Sequence, residues 1–117
     1  MSRDWRLYLD DLIASAEKIG RLVGGRELAA VQQDEAAWDA ILFNLQAIGE
    51  AIKKLPTDQR EALGPRHRAG PARLRDLIAH HYFAVEPSII WDVVTHHVPA
   101  LLADARRLQP AADDAVD

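Results

Sequence analysis

The chain contains no cysteine among its 117 residues. That absence excludes disulfide bonds, thiolate metal sites and catalytic thiols. No uninterrupted apolar run approaches the roughly 20 residues that a membrane-spanning helix needs, and residues 1–10 are charged and amphipathic, unlike a secretion signal. A glycine-rich phosphate loop, a nucleophile elbow and a paired-carboxylate metal motif are likewise missing. We therefore expect a cytoplasmic protein that needs no metal, cofactor or membrane.

The composition is that of one globular domain. Apolar residues make up 49% of the chain, which is enough for a single modest core. The closing residues are almost entirely alanine and aspartate, a composition typical of a mobile terminus. We expect a helical domain over residues 1–108 and a disordered acidic tail over 109–117.

The net charge of −4 is unevenly distributed along the sequence. Three of the four net negative charges come from aspartates in the tail, so the remaining body is close to neutral. Between Arg60 and Arg75 there are five arginines and one acid, Glu61, a local charge of about +4 that attracts phosphate groups. The alternative is a solvated loop that is rich in arginine by chance.

Apolar residues recur at helical spacing almost throughout. The first helix begins after Asp4, a good N-cap, ends at Gly24-Gly25 and carries a stripe of six apolar residues: Trp5, Tyr8, Leu12, Ala16, Ile19 and Val23. The second long helix begins near Asp34, ends at Pro56 and shows the 4-3-4-3 spacing of a bundle seam at Ile41, Leu45, Ile48, Ile52 and Leu55.

The rest of the chain predicts further helices. Short helices are expected over about 26–31 and over 57–63, the latter capped by Thr57, and a longer one from Pro71 to about His81. The last helix starts at Pro87, and Pro99 inside it should kink it. No segment shows the alternation of apolar and polar residues that is typical of a β-strand. The sequence predicts an all-α protein, a four-helix bundle with one or two short extra helices.

The segment Arg75–Tyr82 concentrates chemical groups in eight residues: a guanidinium, a carboxylate, two imidazoles and a phenol. An arginine supplies a permanently charged fork for phosphate oxygens, and a histidine can move a proton near neutral pH. Together they are the minimum for cleaving RNA without a metal, since an imidazole can take the ribose 2′-hydroxyl proton while a guanidinium stabilises the transition state.

Helix geometry limits how these groups meet. Arg75 and His80 are five residues apart, which is about 140° around an ideal helix and roughly 7.5 Å along it. Tyr82 is seven residues after Arg75 and falls on nearly the same stripe. Either the helix ends before His80, or a two-fold dimer brings the second copy's residues across. We favour the homodimer, because its symmetric cleft would contain both groups twice.

Three parts of the sequence resemble a known family. Arg75-x4-His80 followed by Tyr82 resembles the Arg-x4-His-x-Tyr motif of the HepT toxins in the HEPN superfamily of small helical RNA-cleaving proteins. The segment 44–56 resembles that family's second long helix and its end, and 90–101 resembles its last helix. The resemblance is collinear over about residues 8–105.

The resemblance implies a specific function. HepT-like proteins are homodimeric, metal-independent ribonucleases paired with an MNT-type nucleotidyltransferase antitoxin, which silences them by transferring AMP to the motif tyrosine. Carried over by position, Arg75 and His80 are the catalytic pair and Tyr82 is the AMPylation acceptor. Asp76 stands where the family more often has asparagine. Its carboxylate could orient Arg75 or His80, or it could weaken RNA binding.

Other polar residues have competing interpretations. Asn44 and Glu50 lie on the second long helix, and one interpretation is that both are ordinary exposed positions. The alternative is that Glu50 lines the dimer cleft and orients His80 or Arg75. His81, His96 and His97 are interpreted as solvated or interfacial, not as metal ligands. The three tryptophans are expected to pack in the core or an interface, not to stack on bases: Trp5, Trp38 and Trp91.

Two functions from other classes remain as alternatives. One is a docking module, which is a non-catalytic helical bundle that binds a nucleotidyltransferase and is modified by it. The net negative charge of the chain and Asp76 favour this alternative. The other is an inert bundle held in a larger complex.

Overall fold

The computed structural model describes residues 4–64, 67 and 86–114, and all regular structure in these ranges is helical. The all-α prediction is confirmed. The elements, in chain order, are α1 (Trp5–Val23), α2 (Leu28–Gln33), α3 (Glu35–Lys54), α4 (Thr57–Leu63), α5 (Pro87–Asp92), a π-helical turn (Val93–His97) and α6 (Val98–Asp114). The helix predicted over 71–81 lies outside the described residues. No helix within those residues is long and apolar enough to cross a membrane.

Helix α1 begins and ends as its capping residues predict. The carboxylate of Asp4 accepts a hydrogen bond from the Arg6 backbone N–H at 3.0 Å, and hydrogen bonds from the Arg6 side chain and backbone lower the pKa of Asp4. At the other end, Gly24 has φ 55° and donates its N–H to Gly20 O at 3.0 Å. A Cβ at Gly24 would lie 3.2 Å from Arg21 O, so glycine suits both the space and the conformation.

Helix α3 also has the predicted start. Asp34 accepts the Ala37 N–H at 3.2 Å and pairs with the Arg26 guanidinium at 3.2 Å. The hydrogen bond from the Ala37 N–H is the larger of two effects that hold the pKa of Asp34 below its usual value, and the hydrogen bond from Arg26 is the second. Arg26 also bonds back to carbonyls at the end of α1. It therefore closes α1 instead of starting the next helix, and α2 begins at Leu28.

The predicted cap of α4 is wrong by one residue. Pro56 occupies the N-cap position, with no side-chain capping bond, and Thr57 is the first helical residue. The preceding Leu55 is extended, as expected for a residue before proline. The Pro56 carbonyl accepts the N–H groups of Gln59 and Arg60, so the backbone starts this helix without needing the threonine hydroxyl.

The core lies where α1 packs against α3 and α6. The three predicted packing tryptophans lie partly buried against it, as expected. The largest fully buried side chains come from α1, α2, α3, the α3–α4 connection, α4 and α6: Leu9, Leu12, Ile19, Val31, Ile41, Ile48, Leu55, Leu63 and Leu101. One apolar core therefore joins the helices on both sides of the motif segment.

The distortion predicted at Pro99 takes the form of a π-helical turn. Proline has no N–H to continue the regular ladder of hydrogen bonds, and the turn Val93–His97 ends two residues before Pro99. Val98 donates its N–H to Val93 O, five residues back. Thr95 Oγ1 donates to Trp91 O at 2.7 Å. The hydroxyl thereby satisfies a carbonyl in the stretch where the ordinary pattern is interrupted.

Helix α6 continues beyond the predicted domain boundary at residue 108. It extends to Asp114, whereas the tail was expected to begin at 109. Its side chains reach α1: Arg106 pairs with Glu17 at 2.8 Å, and Gln109 donates to Asp10 Oδ1 at 3.3 Å. These contacts hold the helix against α1 as far as Gln109.

Candidate functional site

The motif residues Arg75, Asp76, His80 and Tyr82 lie outside the described residues. The structure does describe what precedes and follows them: α4 and His67 on one side, α5 on the other. It also describes α3, which carries Glu50, the fifth predicted site residue.

Asn44 and Glu50 differ in their surroundings. Asn44 is buried, and its amide Nδ2 donates to Ala40 O at 2.7 Å within α3. The interpretation of Asn44 as an exposed position is therefore wrong, because the side chain satisfies a carbonyl of its own helix in an apolar neighbourhood. Glu50 is half-buried. Its role as a residue that orients Arg75 or His80 stays a prediction.

The polar contact that sequence reasoning missed joins His67 to Asp104. The imidazole Nε2 lies 2.5 Å from Asp104 Oδ2, and both residues are buried, with exposures of 3% and 4%. Because a carboxylate can only accept, Nε2 carries the hydrogen and donates it. The pair connects the basic stretch before the motif to the last helix.

The surroundings of Asp104 complete the arrangement. Arg107, one turn further along α6, pairs with the other carboxylate oxygen, Oδ1, so both oxygens of Asp104 have a cationic or N–H partner. His67 donates its own backbone N–H to Gly64 O at 3.1 Å. Gly64 has φ 125°, a conformation that favours glycine and turns the chain out of α4 toward His67.

A second, exposed cluster lies on the π-helical turn. Asp92 faces His96 at 3.1 Å and His97 at 3.6 Å, and Thr95 Oγ1 lies 3.1 Å from His96 Nδ1. The imidazoles are solvated, as the sequence suggested, although the four-residue Asp92–His96 spacing was overlooked. Among the residues that the structure describes, no group of three or more His, Asp or Glu could hold a metal ion.

Comparison with known proteins identifies the family. A family model described as "Ribonuclease HepT-like" matches residues 12–108, which extend from α1 into α6 and contain the whole of Arg75–Tyr82. The chain belongs to the HepT-like ribonuclease family. The resemblance inferred from the motif is thereby confirmed.

Individual relatives are similar over most of the chain. "Putative RNase MJ0127" of Methanocaldococcus jannaschii is 34% identical over 97 residues, covering 83% of this chain and 80% of its own. "Putative RNase TTE0752" of Caldanaerobacter subterraneus subsp. tengcongensis is 32% identical, covering 82% and 86%. "Probable ribonuclease HepT" of Thermococcus cleftensis is 28% identical, covering 93% and 99%. No solved structure matches the chain significantly.

Proposed function

We propose that this HepT-like chain is a toxin that cleaves RNA without a metal ion. The observation that carries the proposal is the Arg75-x4-His80-x-Tyr82 motif inside a chain that matches the ribonuclease family over residues 12–108. The concentration of arginine between Arg60 and Arg75 supports it, because that stretch attracts the phosphates of RNA.

The proposed chemistry uses one proton acceptor and one fixed charge. His80 takes the proton of a ribose 2′-hydroxyl, and the 2′-oxygen forms a bond to the adjacent phosphorus. The bond from phosphorus to the 5′-oxygen breaks, that oxygen takes a proton from water as it leaves, His80 returns its proton to the solvent, and a 2′,3′-cyclic phosphate remains. Arg75 stabilises the extra negative charge on the phosphate oxygens in the transition state.

The same chemistry is proposed to require two copies of the chain. On an ideal helix Arg75 and His80 are about 140° apart, so one helix does not direct both at one phosphate. A two-fold axis would place both residues of each copy in one cleft. Glu50 and Asp76 would orient the catalytic pair there through hydrogen bonds, without contacting the scissile phosphate.

Metal removal tests the proposed reaction. Purified protein is expected to cleave single-stranded RNA at the same rate with excess EDTA as with Mg²⁺, because the proposed mechanism takes its proton transfer and charge stabilisation from side chains. The measurement is a time course on a labelled RNA, with identification of the product ends and with a metal-dependent nuclease as the EDTA control. Cleavage that EDTA abolishes and Mg²⁺ restores would contradict metal independence. Absence of any cleavage by folded, unmodified protein would favour the docking-module function.

We further propose that an MNT-type nucleotidyltransferase silences the toxin by transferring AMP to Tyr82. The phenol oxygen would bond to the α-phosphorus of ATP, with loss of the phenol proton and release of pyrophosphate. The new phosphate adds negative charge and bulk on the stripe of Arg75. It would pair with that guanidinium and exclude the RNA phosphate from it.

Replacing Tyr82 with phenylalanine separates modification from binding. Tyr82→Phe is expected to keep arresting growth when the nucleotidyltransferase is co-expressed, because the acceptor oxygen is gone while Arg75 and His80 remain. The parent should be silenced and carry AMP on Tyr82, as read by peptide mass spectrometry. Tyr8→Phe is the matched control, since Tyr8 is the chain's other tyrosine and lies against the core. Full silencing of Tyr82→Phe would show that direct binding suffices.

A further inference from the structure

We propose that His67 and Asp104 form a positioning pair, which fixes where the chain enters the Arg75–Tyr82 segment and so sets the rate of RNA cleavage without touching RNA. The inference rests on the proposed function. It assigns a role to the one buried imidazole–carboxylate contact in the part of the chain that the structure describes.

The location of His67 is unusual for its sequence context. It lies within the basic stretch Arg60–Arg75, whose side chains are expected to face solvent, yet its side chain is almost completely buried. Leu63 and Gly64, four and three residues before it, bring the chain against α6: Leu63 is buried in the core, and Gly64 turns the backbone. The apolar packing of Leu63 and the hydrogen bond from His67 therefore both hold this part of the chain against α6.

Asp104 supplies the fixed end of the pair. It lies on α6, which packs against α1. Its two carboxylate oxygens have different partners: Oδ2 accepts from His67, and Oδ1 pairs with Arg107. The pair thus fixes His67, the last described residue before the motif segment, to the helical core.

Stability alone does not explain a polar pair at this position. Removing an imidazole and a carboxylate from water is costly, and apolar side chains of similar volume often stabilise a protein as well or better. A hydrogen bond between two buried groups differs from an apolar contact because it is satisfied in only one arrangement. Catalytic groups misplaced by about 1 Å can lose about 100-fold in rate, so a fixed starting point for the motif segment has a functional consequence.

The test replaces the polar pair by an apolar one. The double variant His67→Leu/Asp104→Leu is expected to keep Tm within about 5 °C of the parent, yet to lose about 100-fold in kcat on RNA with KM within about threefold. His67→Gln, which keeps a side-chain N–H near the Nε2 position, should recover kcat to within about tenfold of the parent. Arg106→Ala is the matched control, because it removes an exposed ion pair of the same helix and should leave kcat unchanged.

Each outcome decides the proposal. Parental kcat in a folded double variant overturns it, as does equal loss of kcat in His67→Gln. If the double variant does not fold, His67→Met and His67→Gln are compared at a temperature where both are folded, and equal kcat values overturn it. If the parent itself cleaves no RNA, the proposed function fails separately. The amide chemical shifts of residues 75–82 then test the pair, and shifts that do not change in the folded apolar variant overturn it.

Discussion

Alanine at Arg75 or at His80 is expected to abolish growth arrest, with kcat for RNA cleavage at least about 100-fold below that of the parent. Loss of a general base lowers rates by about 10²–10⁴-fold, and loss of one transition-state donor by about 10²–10³-fold. Arg75 is the one arginine of the Arg75–Tyr82 segment, and its second histidine, His81, is about 100° away from His80 around an ideal helix. The two single variants should therefore each fall close to background.

The expected result for Arg75→Lys is a smaller but clear loss. Lysine keeps the positive charge but not the planar fork that matches two phosphate oxygens. An activity between those of the parent and Arg75→Ala would indicate that the geometry of the guanidinium matters beyond its charge. Parental activity in Arg75→Lys would leave only an electrostatic role for this position.

The measurement is growth after induction at matched protein levels, followed by kcat and KM with purified protein. His96→Ala and Arg106→Ala are the matched controls, because they remove the same residue types at exposed positions, on the π-helical turn and on α6 respectively. Both should behave as the parent does. If the parent arrests growth and Arg75→Ala and His80→Ala arrest it equally, these residues are not the catalytic pair. If no protein arrests growth, the docking-module function gains support.

The capped ends of α1 and α3 could be predicted from the sequence, because their signals are local. Asp4 and Asp34 bond to backbone N–H groups two and three residues later, and Gly24 adopts the left-handed conformation that ends α1. Such interactions depend on neighbours in the sequence alone. The prediction was less accurate at α2, because Arg26 bonds backwards to Leu22 and Val23 instead of opening the next helix.

The polar contacts of the interior could not be predicted in this way. His67 and Asp104 are 37 residues apart in sequence, and His67 stands among arginines in a stretch that reads as solvated. Asn44 gave no sign that it would bond to Ala40 within its own helix. Burial of a polar side chain depends on which surfaces meet in three dimensions, and apolar periodicity describes only the surfaces that are apolar.

The motif was found by a different kind of information. Arg75, His80 and Tyr82 were singled out by their chemistry and spacing, and the family comparison then supported the assignment of the whole chain. Nothing in the helical pattern alone distinguishes His80 from His81 as the proton acceptor. That distinction rests on the resemblance, and growth arrest that survives His80→Ala would contradict it.

Truncating Leu12 to alanine is expected to lower the stability of the folded chain strongly. Leu12 has 0% exposure and lies in the cluster where α1 meets α3 and α6. Removing such a side chain from a packed core costs about 2–5 kcal/mol, through lost burial and the cavity left behind. Domains of this size are stable by only about 5–15 kcal/mol, so Tm should fall by about 10–20 °C.

The matched control for Leu12→Ala is Leu7→Ala, on the same helix, where the leucine is 44% exposed. Its truncation should change the free energy of unfolding by about 0.5 kcal/mol or less. Both proteins are compared by thermal and urea unfolding at one fixed concentration, because self-association would make the apparent stability depend on concentration. A similar loss for the two variants would contradict the α1–α3–α6 core. A large loss confined to Leu7→Ala would instead place the exposed face of α1 in an interface that stabilises the folded chain.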